Sequence, residues 1–125
     1  MKADDIDAAD CERIVRLFQP LMLLSDWRIE VKDGETSKEE RAEAYINGGA
    51  KSLLIRVFSD CEAGRNEIMV PVEETILHEM LHGVLNDFCE SRELKEDDED
   101  WLCDRFAAIL YRVWRNADRL TAQSE

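Results

Sequence analysis

Apolar positions recur along this chain with periods that change from segment to segment. Ile14, Leu17, Phe18, Leu21 and Met22 are spaced by three and four, which predicts an amphipathic helix over residues 7–24. Pro20 is expected to kink it or end its regular part. Trp27 to Lys32 then alternates apolar and polar, the period of a half-buried strand, and Asp33-Gly34 closes it. Residues 35–41 are charged and read as a loop or a short helical turn. Ala42, Ala44 and Ile46 alternate with Glu43 and Tyr45. After the turn signal Asn47-Gly48-Gly49, Ser52 to Phe58 is the strongest strand candidate, so the two segments predict an antiparallel hairpin. Residues 59–66 read as a polar loop.

Helical periodicity returns after Pro71, which suits a first helical turn because its missing N–H costs nothing there. Leu77, Met80, Leu81, Val84, Leu85 and Phe88 form the apolar face of a helix ending near Phe88. A last helix is expected over 97–119, buried through Leu102, Phe106, Ile109, Leu110 and Val113. Its acidic start and its Arg112, Arg115 and Arg119 both complement the helix dipole. The order helix, three strands, helix, helix is an α+β pattern. With no repeat, linker or low-complexity stretch, residues 1–125 are expected to form one domain.

Charge narrows the function classes. Asp and Glu number 29 against 16 Lys and Arg, a formal net charge of −13. Nucleic-acid binding needs a basic face, so no nucleic-acid partner is expected. No apolar run reaches the roughly 18 to 20 residues of a membrane helix. The residues after Met1 lack the apolar core of a secretory signal, so a cytoplasmic location and no membrane partner are the expectation. The cysteines Cys11, Cys61, Cys89 and Cys103 form no Cys-x-x-Cys pair and are expected to be reduced, ordinary semi-buried residues. Trp27, Trp101 and Trp114 read as core or half-buried residues.

The chemistry lies in Thr75-Ile76-Leu77-His78-Glu79-Met80-Leu81-His82-Gly83. Residues four apart share a helix face, so His78 and His82 can bind one Zn²⁺. Glu79 is expected to be the catalytic base, reaching a water on the metal and later passing its proton to a leaving amine. A His-Glu-x-x-His match is weak by itself. Here both histidines of the chain lie in it, a spacing that two randomly placed histidines reach in roughly one chain of this size in sixty. A catalytic zinc takes three protein ligands, so the third must be Asp, Glu or Cys. Glu99, two turns before Phe106, is the first choice; Asp100 is the nearest competitor, and Cys103 is chemically open. Asp104 is a candidate to hold a ligand histidine from behind. Tyr45, Tyr111 or an arginine could stabilise an oxyanion, and no choice among them follows. Gly83 hints at a close approach to the helix.

These residues resemble the zincin superfamily of metallopeptidases, in the gluzincin-type arrangement of His78-Glu79-Met80-Leu81-His82 with a downstream acid. The wider layout is similar to small metallopeptidase-like proteins of phages and prophages: a Trp-x-Ile-x-Val strand from Trp27 to Val31, an apolar strand from Leu53 to Phe58, and a last helix opening with acids. The resemblance implies a minimal zincin-like domain, with a short twisted sheet over an active-site helix and a ligand helix. It implies Zn²⁺ as cofactor and a peptide or protein substrate added to the sheet's edge strand, expected at residues 52–58. The expected function is therefore a zinc-dependent metallopeptidase of narrow specificity. The competing reading is a catalytically silent zinc-binding regulatory or protein-interaction module.

Overall fold

A computed structural model of the chain describes residues 8–34, 42–58, 71–117 and 119. The segments expected as loops over 35–41 and 59–66, and Cys61, lie outside the described residues. The fold is α+β: α1 (Ala8–Phe18), β1 (Arg28–Asp33), β2 (Ala42–Asn47), β3 (Ser52–Val57), α2 (Val72–Ser91) and α3 (Glu96–Arg115).

α1 stops at Phe18, before the expected end, with Pro20 two residues on. The Gln19 side-chain amide donates to the carbonyls of Leu24 and Trp27 and closes the turns that follow. The buried stripe of α1 is Cys11, Val15 and Phe18, while Leu17 and Leu21 of the predicted face are exposed. At its start, the Ala8 amide donates to Asp33 Oδ1 at 3.0 Å, tying α1 to the end of β1 and satisfying one of the N–H groups that a helix start leaves open.

The three strands form one sheet in the order β1-β3-β2. β1 runs parallel to β3, with Arg28 opposite Ser52; β2 pairs antiparallel with β3 as the predicted hairpin, with Tyr45 opposite Leu54. This corrects the expectation that residues 52–58 form the edge. β3 is the most apolar strand, and pairing on both sides satisfies its backbone where Leu53, Ile55 and Val57 are buried. The edges fall to β1 and β2, whose outward residues include Arg28, Glu30, Lys32 and Glu43; charge on an edge strand discourages stray pairing.

One face of the sheet carries the core. Leu53 and Ile55 meet Ile76, Leu77 and Met80 of α2, and Val15 and Phe18 of α1 join them. A Cβ added at Gly48, in the β2–β3 turn, would lie 2.3 Å from Asn86 Nδ2, so the bare glycine lets the turn sit against α2. Gly83 is buried under Leu53, Trp27 and Leu24, but a Cβ there would meet them at 3.6–4.0 Å, ordinary contact. The expected close approach to the helix is therefore not found at Gly83, where a methyl group has room.

α2 and α3 are joined by a short connection. Leu94 N donates to Cys89 O and Glu93 N to Glu90 O, with Glu93 at φ 53°. This is the paired-bond helix ending that usually places glycine at the left-handed position. α3 then packs on α2 through Cys103 and Ala107, both buried, with Tyr111 and Trp114 half-buried. Trp114 meets Phe18 edge-on at 5.3 Å. This corrects the predicted face. Phe106, Ile109, Leu110 and Val113 are 42%, 54%, 38% and 55% exposed, and Leu102 is half-buried. Small side chains let α3 lie close to α2, so Cys103 and Ala107 take the interior and the larger apolar residues turn outward. Trp101 is also exposed, with Arg105 stacked 5.3 Å from its ring centre, and on α2 Val84 and Phe88 are exposed. No helix of the described residues is long and apolar enough to cross a membrane.

Candidate metal centre

His78, Glu79 and His82 stand near the middle of α2, a helix begun by Pro71 and by Glu73 and Glu74 in its first turn. Ile76, Met80 and Gly83 of this helix are buried toward the sheet, which turns the two histidines toward α3. Their rings meet edge-to-face with centroids 5.0 Å apart. Both ε-nitrogens point to one spot, with His82 Nε2 3.3 Å from His78 Nε2.

α3 brings three carboxylates to this pair. Asp100 Oδ1 lies 3.2 Å from His82 Nε2 and 3.8 Å from His78 Nε2, on the side where the ε-nitrogens converge. Behind the rings, Glu99 Oε2 is 2.7 Å from His82 Nδ1. Asp104 Oδ1 is 2.7 Å from His78 Nδ1, within ion-pair reach though not in hydrogen-bond alignment. Glu79 is buried, 6% exposed, and its Oε1 is 3.8 Å from His78 Nε2. His78, Glu79 and His82 each offer a ligand atom within 4.8 Å of the others.

The donor set suits a zinc ion. Tetrahedral ligands at about 2.0–2.1 Å from zinc stand about 3.3–3.4 Å from one another. The triangle His78 Nε2, His82 Nε2 and Asp100 Oδ1 has edges of 3.3, 3.2 and 3.8 Å. A carboxylate on the second nitrogen of a ligand imidazole fixes its tautomer and leaves Nε2 as the acceptor. Glu99 stands in that position for His82, and Asp104 stands nearest to it for His78.

Electrostatics run the same way. Burial lowers the pKa of His78, and the neighbouring His82 adds to this while Asp104 and Asp100 oppose it. Burial thus favours the neutral imidazole, the form that ligates metals. The Cys89 thiol is pushed up to about 11 by burial, helped by Glu99. Cys103 is raised further by burial and by the carboxylates of Glu99, Asp100 and Glu79. Burial thus favours the thiol over the thiolate at both positions.

The expected site residues therefore meet in space, but in a changed order. Glu99 reaches His82 through Nδ1, and Asp100 is the acid on the Nε2 side. The stripe Glu99-Cys103-Ala107 runs along the buried side of α3, so Glu99 turns inward for a reason unrelated to the exposed Phe106. The small residues Cys103 and Ala107 were the signal that would have found this face. Of the oxyanion candidates, Tyr45 hydrogen-bonds Glu43 on the outer face of the sheet, and Tyr111 packs 6.1 Å from Trp114. Comparison of the chain with known protein families, with curated proteins and with solved structures gives no match.

Proposed function

We propose that this chain is a zinc-dependent metallopeptidase of the zincin kind, with His78, His82 and Asp100 as its ligands and Glu79 as its base. One observation carries the reading: two ε-nitrogens and Asp100 Oδ1 converge at the spacing of tetrahedral ligands, with Glu99 and Asp104 behind the imidazoles. A purely structural ion pair would not need three carboxylates ranged on both sides of two histidine rings. A zinc ion held there supplies Lewis acidity, polarising a carbonyl and lowering the pKa of water towards about 7. Glu79, one residue beyond the first ligand, takes the proton of the attacking water and delivers it to the departing amine. Its burial withholds competing water and strengthens its charge interactions.

The substrate would add to the outer edge of β2. That strand lies against α2 more extensively than β3 does, and it is an edge strand of the sheet among the described residues. An extended peptide can continue such an edge through backbone hydrogen bonds. An edge of six residues offers few side-chain subsites, which fits a narrow choice of substrate.

The test is metal content by elemental mass spectrometry, with peptide-library cleavage, on the native chain, His78→Ala and Glu79→Gln. The proposal expects about one zinc per chain, lost in His78→Ala, and cleavage lost in Glu79→Gln with zinc retained. Zinc without cleavage in the native chain would favour the silent zinc-binding module, a reading that draws on the burial of Glu79. Absence of zinc after incubation with it would overturn both.

A further inference from the structure

We infer that Asn86 is a substrate-binding residue, its side-chain amide donating to a main-chain carbonyl of a peptide added to the outer edge of β2; the inference rests on the peptidase reading above. Among the described residues, the buried polar side chains are Glu79 and Asn86. They stand seven apart on α2, two turns along one face. Asn86 is also one turn beyond His82, so it continues the line of the proposed centre along the helix. Buried polar groups in folded proteins carry hydrogen-bond partners, and the exceptions call for a reason. Asn86 is such an exception: its Nδ2 is buried and meets no acceptor.

The place of that amide points to the main chain of an added strand. Nδ2 faces Gly48, the first residue after β2, where a Cβ would lie 2.3 Å from it, closer than real side chains pack. The backbone at the end of β2 thus passes over the donor with no side chain between them. Two acceptors of the turn are already engaged within it: Gly48 O accepts from Lys51 N at 3.2 Å, and Asn47 Oδ1 from Ala50 N at 3.1 Å. A peptide that continues the sheet beyond β2 would run past Gly48 and bring carbonyls of its own. Glycine at 48 and 49 leaves the turn free to rotate by the small amount that uncovers Nδ2. Along α2, Asn86 lies about 10 Å from Glu79, roughly the reach of three residues of extended chain. A carbonyl held by Asn86 would therefore fix which peptide bond stands over Glu79.

Steady-state kinetics on a library peptide cleaved by the native chain, with Asn86→Leu and Asn86→Ala beside it, tests this. Leucine keeps the branched shape and removes the donor; alanine removes both and relieves any crowding at Gly48. The expected result in each variant is a KM raised about 10-fold with kcat unchanged, the loss of one binding hydrogen bond, and about one zinc per chain retained. Peptide analogues in which each peptide bond in turn is replaced by a trans-alkene locate the carbonyl. One of them should raise KM in the native chain and have no further effect in Asn86→Leu. An unchanged KM in both variants, a fall in kcat alone, loss of zinc, or additive losses with every analogue would overturn the inference while leaving the peptidase reading in place. Failure of both variants to fold, read by circular dichroism, would make Asn86 a structural residue and overturn it too. A native chain that cleaves no library peptide removes the peptidase reading and this inference with it.

Discussion

At the scale of single residues, Asp100 and Glu99 show how one position along a helix changes a role. Neighbours on α3 are 100° apart, so two adjacent acids reach different nitrogens of the histidine pair. Isothermal titration with zinc should separate them. Asp100→Asn removes an anionic ligand and should weaken binding by at least about 100-fold, whereas Glu99→Gln keeps the oxygen that faces His82 Nδ1 and should cost about 10-fold or less. Equal losses in the two variants, or a larger loss in Glu99→Gln, would restore Glu99 as the ligand. The meeting of His78, Glu79 and His82 was legible because residues three and four apart share a helix face. The third acid was not, because five consecutive acids all satisfy the same pattern and only the angular setting of α3 on α2 distinguishes them.

At the scale of elements, two local conflicts offer direct measurements. Glu93 takes the left-handed conformation at the end of α2, at φ 53°, where a side chain costs roughly 1–2 kcal/mol. Glu93→Gly should raise stability by about 1 kcal/mol in chemical denaturation, and a loss would mean that the turn rests on the Glu93 side chain. Gly83 presents the reverse case. A methyl group there meets Leu53, Trp27 and Leu24 at normal contact distances, so Gly83→Ala should stabilise α2 by about 0.5–1 kcal/mol, seen as a higher melting temperature. Destabilisation would show that the sheet cannot yield even a few tenths of an ångström.

The elements themselves were readable from period alone: three helices, three strands and the hairpin lie within a few residues of expectation, apart from the early end of α1. Their orientation was less readable. For α3 the pattern marks an amphipathic helix, but Leu102, Phe106, Ile109 and Val113 proclaim an apolar face without saying what it faces. The interior was taken by Cys103 and Ala107, whose small volume carries little weight in a hydrophobicity pattern. For the sheet, alternation gives which side of a strand is buried and is silent on strand order, so β3 at the centre could not be told from β3 at an edge.

At the scale of the molecule, stability should depend on metal. A chain of this length buries a modest core, and its net charge of −13 works against compactness. Three carboxylates gather at the histidine pair, so a cation there relieves repulsion as well as making bonds. Zinc at about 100 times its dissociation constant should stabilise the native state by about 2.7 kcal/mol, measurable as a rise in melting temperature that chelator reverses. The shift should vanish in His78→Ala. A melting temperature that zinc leaves unmoved in the native chain would mean that the cluster is held by its own ion pairs.

The short turn between α2 and α3 carries a final consequence. Every proposed ligand, and both acids behind the imidazoles, lie on two helices joined by Arg92 to Lys95. The closure entropy of so short a link is small, so α2 presents its histidines to Asp100 at high effective concentration. With a metal bound, the proposed centre would be a chelate written into one contiguous stretch of chain, drawing its residues from a helical hairpin and none from the sheet. Changes confined to β1 should then alter what the protein recognises or how firmly it folds, while leaving the order in which a metal finds its ligands untouched.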